Sequence, residues 1–253
     1  MRTVDAINIA PVKSSGLVHP ASVHVDSTGI VEDRRLYLIN PEGRLLTQRE
    51  LGHLVQITAG YQIQPEELRL SFPDGTSMEG FLVLGEPVVT TMWGRPVPGH
   101  VVTGGWSSAL SEFCREHVTL VTSDHPGQCY DEYPVSIISE ASIQLLNQHP
   151  SATVPLDNRR FRPNFLISGC EPHEEDTWLG GVIEIGEELR LRVVARDPRC
   201  AITTHDPDTG ESDIDTLRLI LSYRPSPRAA YFGVYGIVER PGTVSLGDVV
   251  TTL

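Results

Sequence analysis

The chain has 253 residues, enough for one large domain or two small ones, and its 40% apolar and 21% charged residues are typical of globular proteins. With 33 acidic and 20 basic residues, the net charge of −13 excludes a general binder of nucleic acid or anionic membranes, although a local basic pocket remains possible. The 22 glycines and 19 prolines favour many short strands over long helices.

The first hundred residues consist of short apolar stretches separated by turn residues. The turns PEG at 41–43 and PDG at 73–75 are typical of connections between neighbouring strands. The predicted strands cover residues 4–10, 21–26, 36–40, 44–47, 54–63, 68–72, 81–84 and 87–92. Strands this short, with turns at close intervals, are typical of a barrel or a sandwich.

After the first hundred residues the apolar pattern becomes partly helical. Residues 106–117 and 139–148 show helical spacing, and Ser139 is a suitable N-cap for the second of these helices. A third helix is predicted over residues 214–223, where the preceding Asp213 suits a helix N-terminus. Strands are predicted over residues 118–121, 165–168, 182–185, 189–194, 231–239 and 244–253. The change of pattern predicts a domain boundary near residue 100.

Lys13 is the only lysine in the chain, since the other 19 basic residues are arginines. Genomic base composition explains a general preference for arginine, but it does not explain why one lysine remains. An ammonium group is a compact donor that a guanidinium cannot replace. The position of Lys13 beside Ser14 and Ser15 therefore indicates a constrained site.

The stretch RRFRPN at residues 159–164 brings three arginines and an amide together, directly before a predicted strand. One interpretation is an anion pocket, because arginine donors suit phosphate in bidentate geometry. The other is a solvated loop. This stretch alone leaves both interpretations open.

Cys200 follows Arg199 at the end of a predicted strand. A neighbouring cation favours the thiolate, which is the form that ligates metals or attacks electrophiles. The alternative is a buried, unreactive cysteine. That alternative fits Cys114 on its amphipathic helix and Cys170 at the end of its strand.

Two further patterns resemble metal sites only in part. Cys114, His117, His125 and Cys129 include the ligand types of a zinc site, but a predicted strand separates the two pairs. The stretch HDPDTGESD at 205–213 is similar to a calcium loop whose glycine comes one place too early, so a turn before a capped helix is the better interpretation. GxGxxG, Walker A, GxSxG and HExxH motifs are absent from the sequence.

No stretch approaches the ~20 apolar residues of a membrane helix, and the N-terminal residues have no sustained apolar segment. The four cysteines are scattered and form no CxxC motif. We therefore expect a cytoplasmic protein with free thiols that binds neither membranes nor nucleic acid.

Several motifs, taken in order, resemble one family over nearly the whole chain. RFRPNFLISG, RCAITTHDPDTG, FGVY and PGTVSLGD resemble the MOSC domain, the module named for the C-terminus of molybdenum cofactor sulfurases. IAPVKSSG, VEDRRLYLIN and LLTQR resemble the β-barrel domain that precedes MOSC in the mitochondrial amidoxime-reducing component and its bacterial relatives. The resemblance implies a mostly β, α+β fold, with an N-terminal MOSC β-barrel-like domain at residues 1–104 and a MOSC β-barrel domain at residues 105–253.

The resemblance also implies a molybdenum cofactor, Mo-molybdopterin, held by its dithiolene and by one protein cysteine. Cys200 is the candidate metal ligand and catalytic residue, and Asp131 matches a loop that approaches the molybdenum. Tyr235 matches a further pocket position. The residues that match positions binding the cofactor's phosphate and pterin are Lys13, Ser14, Arg34, Arg162, Asn164 and Arg199. Arg35 stands beside Arg34 where relatives often have an aromatic residue, so which arginine faces the cofactor stays open.

The activity that the resemblance implies is the reduction of N-hydroxylated compounds such as amidoximes, hydroxylamines and N-hydroxylated bases. Many bacterial relatives carry a [2Fe–2S] ferredoxin domain with a cluster of cysteines, which this sequence lacks. We therefore expect no iron–sulfur cluster in this chain and a separate electron-transfer protein, ferredoxin-, flavodoxin- or cytochrome b5-like with its reductase. The alternatives are a carrier of molybdenum cofactor or sulfur without turnover, and a metal-free β-barrel interaction protein.

Overall fold

The computed structural model describes residues 1–150, 152 and 155–253. Most of the regular structure is β. The strands are β1 Thr3–Ile7, β2 Ser22–Asp26, β3 Gly29–Ile30, β4 Leu36–Ile39, β5 Leu45–Leu46, β6 Thr58–Gln62, β7 Glu67–Ser71, β8 Ser77–Phe81, β9 Leu84–Met92, β10 Arg95–Val102, β11 Thr119–Ser123, β12 Val135–Ser139, β13 Phe165–Ser168, β14 Val182–Ile185, β15 Leu189–Arg199, β16 Ala230–Arg240, β17 Gly242–Ser245 and β18 Val250–Thr252. The α-helices are α1 Trp106–Cys114, α2 Glu140–Asn147 and α3 Thr216–Tyr223. The predicted mixture of many strands with a few helices is confirmed.

The largest sheet has seven strands in the order β1-β13-β12-β16-β15-β14-β18. Its two edges meet, because Val4 N donates to Asp248 O at 2.9 Å and Val250 N donates to Arg2 O at 3.0 Å. The sheet therefore nearly closes into a barrel, which removes the exposed edges of an open sheet. Its buried core includes Ile7, Val25, Ile137, Phe165, Leu191 and Val234.

A second sheet has five strands in the order β5-β4-β11-β10-β9, and β6, β7 and β8 form a three-stranded sheet beside it. These sheets share a second core with α1, which includes Leu36, Leu38, Leu68, Leu70, Trp106 and Leu110. Complete burial of each such side chain stabilises the fold by roughly 2 kcal/mol. A third small sheet joins β17, β2 and β3.

Each large sheet contains strands from both sides of the boundary predicted near residue 100. In the seven-stranded sheet, β1 pairs with β13, and Thr3 lies opposite Ser168. In the five-stranded sheet, β11 pairs with β4, and Thr119 lies opposite Ile39. The two sheets are therefore interlocked in sequence, and loops from distant parts of the chain meet at the junction between them.

The helices begin where capping residues allow. Ser139 accepts a hydrogen bond from Ser142 N at 3.2 Å at the start of α2, and Asp215 accepts one from Arg218 N at 3.0 Å at the start of α3. The helix predicted over residues 106–117 ends three residues earlier, because Arg115 adopts a left-handed backbone with φ of 55°. No helix among the described residues is long and apolar enough to cross a bilayer.

Several strand predictions were wrong in detail. The strand predicted over residues 54–63 is in fact the end of a 3₁₀ helix, Gly52–Gln56, followed by β6. The buried Leu54 and Val55 are adjacent and do not alternate with exposed residues as in a strand. Residues 81–84 span the turn between β8 and β9, and Gly247, with φ of 86°, interrupts residues 244–253 between β17 and β18. Four strands were not predicted: β3, β8 apart from its last residue Phe81, β10 and β12.

Candidate functional site

A cavity of about 300 Å³ lies at the junction of the two large sheets. All nine site candidates from the sequence line this one cavity: Lys13, Ser14, Arg34, Asp131, Arg162, Asn164, Arg199, Cys200 and Tyr235. Loops before β2, β4, β12 and β13, the end of β15 and the middle of β16 bring them together. The sequence motifs, which lie up to 222 residues apart, thus describe one place in the fold.

The backbone of this cavity is unusual. Six non-glycine residues in the described part of the chain have a left-handed backbone, and four of them line the cavity. These four are Ser14 with φ of 73°, Arg34 with 51°, Trp93 with 51° and Arg162 with 48°. Each such residue is strained, and surrounding contacts must hold it in place. Because strained backbone conformations cluster at functional sites, their concentration here indicates that this cavity is a binding or catalytic site.

Lys13 and Asp131 form a hydrogen-bonded pair at the mouth of the cavity. Lys13 is 4% exposed, and its Nζ donates to Asp131 Oδ1 at 2.7 Å and to Cys129 O at 2.8 Å. Trp93 Nε1 donates to the same Asp131 oxygen at 3.2 Å. Burial raises the pKa of Asp131, but the charges of Lys13 and Arg34 lower it by more, well below the usual range. Asp131 is therefore ionised at neutral pH.

The two neighbouring arginines face opposite directions. Arg34 lines the cavity and pairs with Asp33. Arg35 donates to Ser123 Oγ at 3.1 Å and pairs with Glu66 at 3.2 Å, and it does not line the cavity. Of the two arginines, only Arg34 thus lines the cavity.

Asn164 braces the arginine side of the cavity from behind. Its Nδ2 donates to Asp33 Oδ2 at 2.9 Å, and its Oδ1 accepts from Ser136 N at 3.0 Å and from Ser136 Oγ at 3.1 Å. Asp33 in turn accepts from Ala10 N at 2.8 Å. The amide of Asn164 is therefore fully used within the protein, where it fixes the carboxylate that holds Arg34.

Arg162 is a cation without a carboxylate partner. Its Nη2 donates to Ser15 O at 2.7 Å, and no ion pair of Arg162 occurs among the described residues. Burial and repulsion by Arg34 lower the pKa of Arg162 to about 10. The nearby Arg160 is different, because its guanidinium pairs with Asp213 at 2.7 Å. Arg162 is the group in this wall that most requires an anion.

The end of β15 holds Arg199 firmly. Its Nε donates to Phe232 O at 2.6 Å, its Nη1 donates to Phe161 O at 2.8 Å, and its guanidinium pairs with Asp197 at 2.8 Å. Gly233 makes this possible, because a Cβ at that position would come within 3.1 Å of Arg199 Nη2 and within 2.5 Å of a neighbouring side chain. The glycine of the FGVY motif thus serves close packing against this arginine.

Asp197 is a buried acid beside this arginine. Burial raises its pKa to about 6, against the opposing effects of Arg199 and of a hydrogen bond from Tyr235. Burial also raises the pKa of Tyr235, and the charge of Asp197 adds to this effect. Tyr235 therefore remains a neutral hydrogen-bond donor.

Cys200 carries a free, partly exposed thiol at the point where β15 ends. Its carbonyl oxygen accepts from Thr203 N at 3.1 Å and from Thr203 Oγ1 at 3.0 Å, which fixes the turn that follows. Arg49 lies close enough for the Cys200 side chain to change the pKa of its guanidinium. Partial burial lowers the pKa of Arg49, but hydrogen bonding to Cys200 and its charge raise that pKa by more.

Sequence reasoning missed several residues of the cavity wall: Arg49, Trp93, Tyr130, Tyr133, Asp197 and Arg160 as an individual side chain. Arg49 is the arginine of the LLTQR motif, which offered a signal that was not followed. Trp93 occupies the two-residue turn between β9 and β10, where no local pattern marks it.

The alternative metal sites are not assembled. Cys114 and Cys129 belong to two different hydrophobic cores. In the 205–213 loop, Asp208 pairs with Arg159 and Asp213 pairs with Arg160, so these carboxylates already have cationic partners. No group of three or more histidines, cysteines or acids suited to a metal occurs in the described residues.

Family models and relatives agree with this architecture. The MOSC domain model matches residues 99–251, and the model for the MOSC N-terminal beta barrel domain matches residues 1–99. Mitochondrial amidoxime-reducing component 1 of Homo sapiens is 42% identical over 99% of this chain and 83% of its own length. Component 1 of Mus musculus is 30% identical over 99% of this chain and 82% of its own, and component 2 of Rattus norvegicus is 29% identical over 98% and 82%.

Among solved structures, the YUAD protein of Bacillus subtilis aligns over 99% of this chain and 94% of its own, with a TM-score of 0.45 and 15% identity. The assignment depends instead on the two family models, which together run from residue 1 to residue 251. A relative at 42% identity across the chain agrees with them. This protein therefore belongs to the MOSC domain family.

Proposed function

We propose that this protein is a molybdenum-cofactor-dependent oxidoreductase that reduces N-hydroxylated compounds. The observation that carries the proposal is the combination, in one cavity, of a free thiol at Cys200 and a cation without a carboxylate partner at Arg162. A phosphorylated cofactor whose metal accepts one thiolate requires both groups. Relatives that are named for amidoxime reduction support the choice of substrate class.

The residues of the cavity fit such a cofactor. Arg162 and Arg34 would bind its phosphate and pterin together with Lys13 and Ser14, and Cys200 would ligate the metal. Arg199 would lie beside Cys200, with its Nε and Nη1 already donating to backbone carbonyls. The bound cofactor would supply two-electron oxidation–reduction chemistry.

The chain's own residues would orient the substrate at the mouth. Asp131 is ionised and half exposed, so it serves as an acceptor for N–H groups of an amidoxime and not as a proton donor. In the overall reaction the N–O bond breaks, and two electrons and two protons yield an N–H bond and one water molecule. The protons arrive from solvent at the open mouth, while Trp93 and Lys13 hold Asp131 in place.

The two electrons would come from a separate electron-transfer protein, such as a ferredoxin, a flavodoxin or a cytochrome b5 with its reductase. Our proposal includes no iron–sulfur cluster in this chain, whose four cysteines are free thiols. We also propose a cytoplasmic location, because free thiols suit a reducing compartment.

The experiment that tests the proposal is elemental analysis for molybdenum, combined with turnover of benzamidoxime by a chemical reductant. The protein and its Cys200→Ala variant would be made in a host that synthesises the cofactor, with Cys170→Ala as a control for loss of another partly buried thiol. We expect near-stoichiometric molybdenum and turnover in the wild type and in Cys170→Ala, and loss of both in Cys200→Ala.

Two outcomes would contradict the proposal. If Cys200→Ala retained molybdenum and full activity, the assignment of the metal ligand would fail. If the wild type bound the cofactor and passed it to an apo-enzyme, but reduced no N-hydroxylated compound, the protein would be a carrier and not a reductase.

A further inference from the structure

The cavity contains one cation that neither pairs with a carboxylate nor has a role in the proposed function. Six cationic side chains line the cavity: Lys13, Arg34, Arg49, Arg160, Arg162 and Arg199. Four of them form ion pairs with carboxylates, which are Asp131, Asp33, Asp213 and Asp197. Among the described residues, only Arg49 and Arg162 of this set have no such partner, and Arg162 faces the proposed phosphate. Arg49 interacts with the Cys200 side chain but with no carboxylate, so it keeps donors for another anion.

Arg49 is held in a defined position although no carboxylate pairs with it. Its guanidinium carbon lies 4.8 Å from the centre of the Trp93 ring, in a cation–π stack. Trp93 is itself fixed, because its Nε1 donates to Asp131 at 3.2 Å and its backbone adopts the left-handed conformation of the β9–β10 turn. The adjacent Glu50 is engaged elsewhere, since its carboxylate accepts from Thr47 N at 2.9 Å and from Thr47 Oγ1 at 2.8 Å.

The Arg49–Trp93 stack stands where a substrate must enter. Arg49 is close to Cys200, and Trp93 is 45% exposed at the mouth of the cavity. Trp93 also lines a second cavity of about 460 Å³, together with Thr47, Val89 and Thr91 among others. This second cavity has room for the body of a substrate whose reacting group reaches Cys200.

We propose that the Arg49–Trp93 stack binds the carboxylate of planar, N-hydroxylated substrates, and that the enzyme therefore prefers substrates with an anionic substituent. An open guanidinium binds a carboxylate through two parallel hydrogen bonds, and the indole ring offers a flat apolar surface to a conjugated group. The net charge of −13 repels anions at long range, so a carboxylate substrate needs such a local cation. This inference rests on the proposed function for its substrate class.

Trp93 provides a direct measurement of binding that does not depend on turnover. The other two tryptophans, Trp106 and Trp178, are each only 3% exposed, so a ligand at the mouth changes mainly the fluorescence of Trp93. Sodium benzoate is the anionic probe, and benzamide is its neutral counterpart of similar shape. We expect benzoate to bind about tenfold more weakly to Arg49→Gln, with a smaller loss in Arg49→Lys and no change for benzamide.

Turnover of two matched substrates completes the test. The ratio of kcat/KM for 3-carboxybenzamidoxime to that for benzamidoxime should fall about tenfold in Arg49→Gln. Arg69→Gln removes the same charge from the exposed face of the β6–β8 sheet, outside the cavity, and should leave the ratio unchanged.

The two proposals fail in different ways. If the wild type reduces benzamidoxime, but Arg49→Gln changes neither the ratio nor the affinity for benzoate, this inference is wrong and the proposed function stands. If no N-hydroxylated compound is reduced, yet benzoate binds and depends on Arg49, then the anion site stands and the proposed function is wrong. Absence of Arg49-dependent benzoate binding overturns the inference in either case.

Discussion

The cavity has two walls that are held to different degrees. The fixed wall consists of Asp197, Arg199 and Tyr235 in the seven-stranded sheet and Asn164 directly before its strand β13. We call Arg49 and Trp93 the open wall. In the fixed wall every charged group is paired and nearly all surface is buried. In the open wall the guanidinium has no carboxylate and the indole is 45% exposed. The difference suits a bound cofactor on one side and exchangeable substrates on the other.

The largest expected effect concerns the support of the fixed wall. Asp33→Ala removes the carboxylate that pairs with Arg34 and accepts from Asn164 Nδ2 and Ala10 N. We expect the free energy of unfolding to fall by about 3 kcal/mol, because a buried cation and two donors lose their partner. Chemical denaturation of the two proteins measures this difference. A loss below 1 kcal/mol would show that this wall is not held as described.

A second prediction concerns the packing behind the fixed wall. His173 packs edge-on against Phe232, the residue whose carbonyl holds Arg199, and it contacts Tyr223 and Arg224. Burial and the charge of Arg224 lower the pKa of His173 to about 4, against the opposing charge of Asp176. The unfolded chain therefore binds more protons below pH 6.5, and stability is lost as the pH falls from 6.5 towards 4. Because His173 is only partly buried, solvent screens its charge, and we expect a loss of about 1 kcal/mol from pH 7 to pH 5.

Denaturation curves between pH 7 and pH 5 test this prediction, with His173→Asn as the comparison. Asparagine does not titrate, and it tolerates the left-handed backbone at this position, where φ is 60°. The variant should lose much less stability over this range. Equal pH dependence in both proteins would assign the effect to other groups.

Arg162 offers a third test, because its variant should gain thermal stability but lose affinity for the cofactor. In protein made without cofactor, Arg162→Met removes a buried, unpaired cation and should raise the melting temperature. In a host that makes the cofactor, molybdenum content should fall about tenfold after dialysis. Arg159→Met is the matched control. Arg159 lies in the same loop as Arg162, but it is paired with Asp157 and Asp208. A lower melting temperature in Arg162→Met would contradict the prediction.

The smallest expected effect belongs to the open wall. Trp93→Phe keeps a ring beneath Arg49 but removes the hydrogen bond from Nε1 to Asp131. Because Asp131 retains Lys13 as a partner, we expect a loss of about 1 kcal/mol or less in stability. Thermal unfolding measures the change. A loss as large as that of Asp33→Ala would mean that the two walls are equally constrained.

The sequence located the cavity better than it described its geometry. Motifs around Lys13, Arg162 and Cys200 named residues that all line one cavity, because short functional segments keep a recognisable residue order. The partners of those residues were not predicted. Asp33 and Asp197 are single acids in an acidic chain, and only the fold shows that each faces an arginine.

The errors in secondary structure have similar causes. Strand β10 contains Pro96 and Pro98, which interrupt the apolar alternation although the strand pairs on both sides. Strand β12 is buried along its whole length, so it lacks the alternation that marks a half-exposed strand. Long-range pairing decides such elements, and a local window does not contain it.

The interlocking of the two sheets has a consequence for synthesis on the ribosome. β1 pairs with β13, more than 150 residues later, and its remaining edge meets the segment that leads into β18. The barrel therefore cannot close around β1 until β13 and β18 have been synthesised. Lys13 and Arg34 emerge early, whereas Arg162 and Cys200 emerge much later, so the cavity does not exist on a nascent chain. Any molecule that fills the complete cavity must arrive after translation has passed Tyr235, the last residue that lines it.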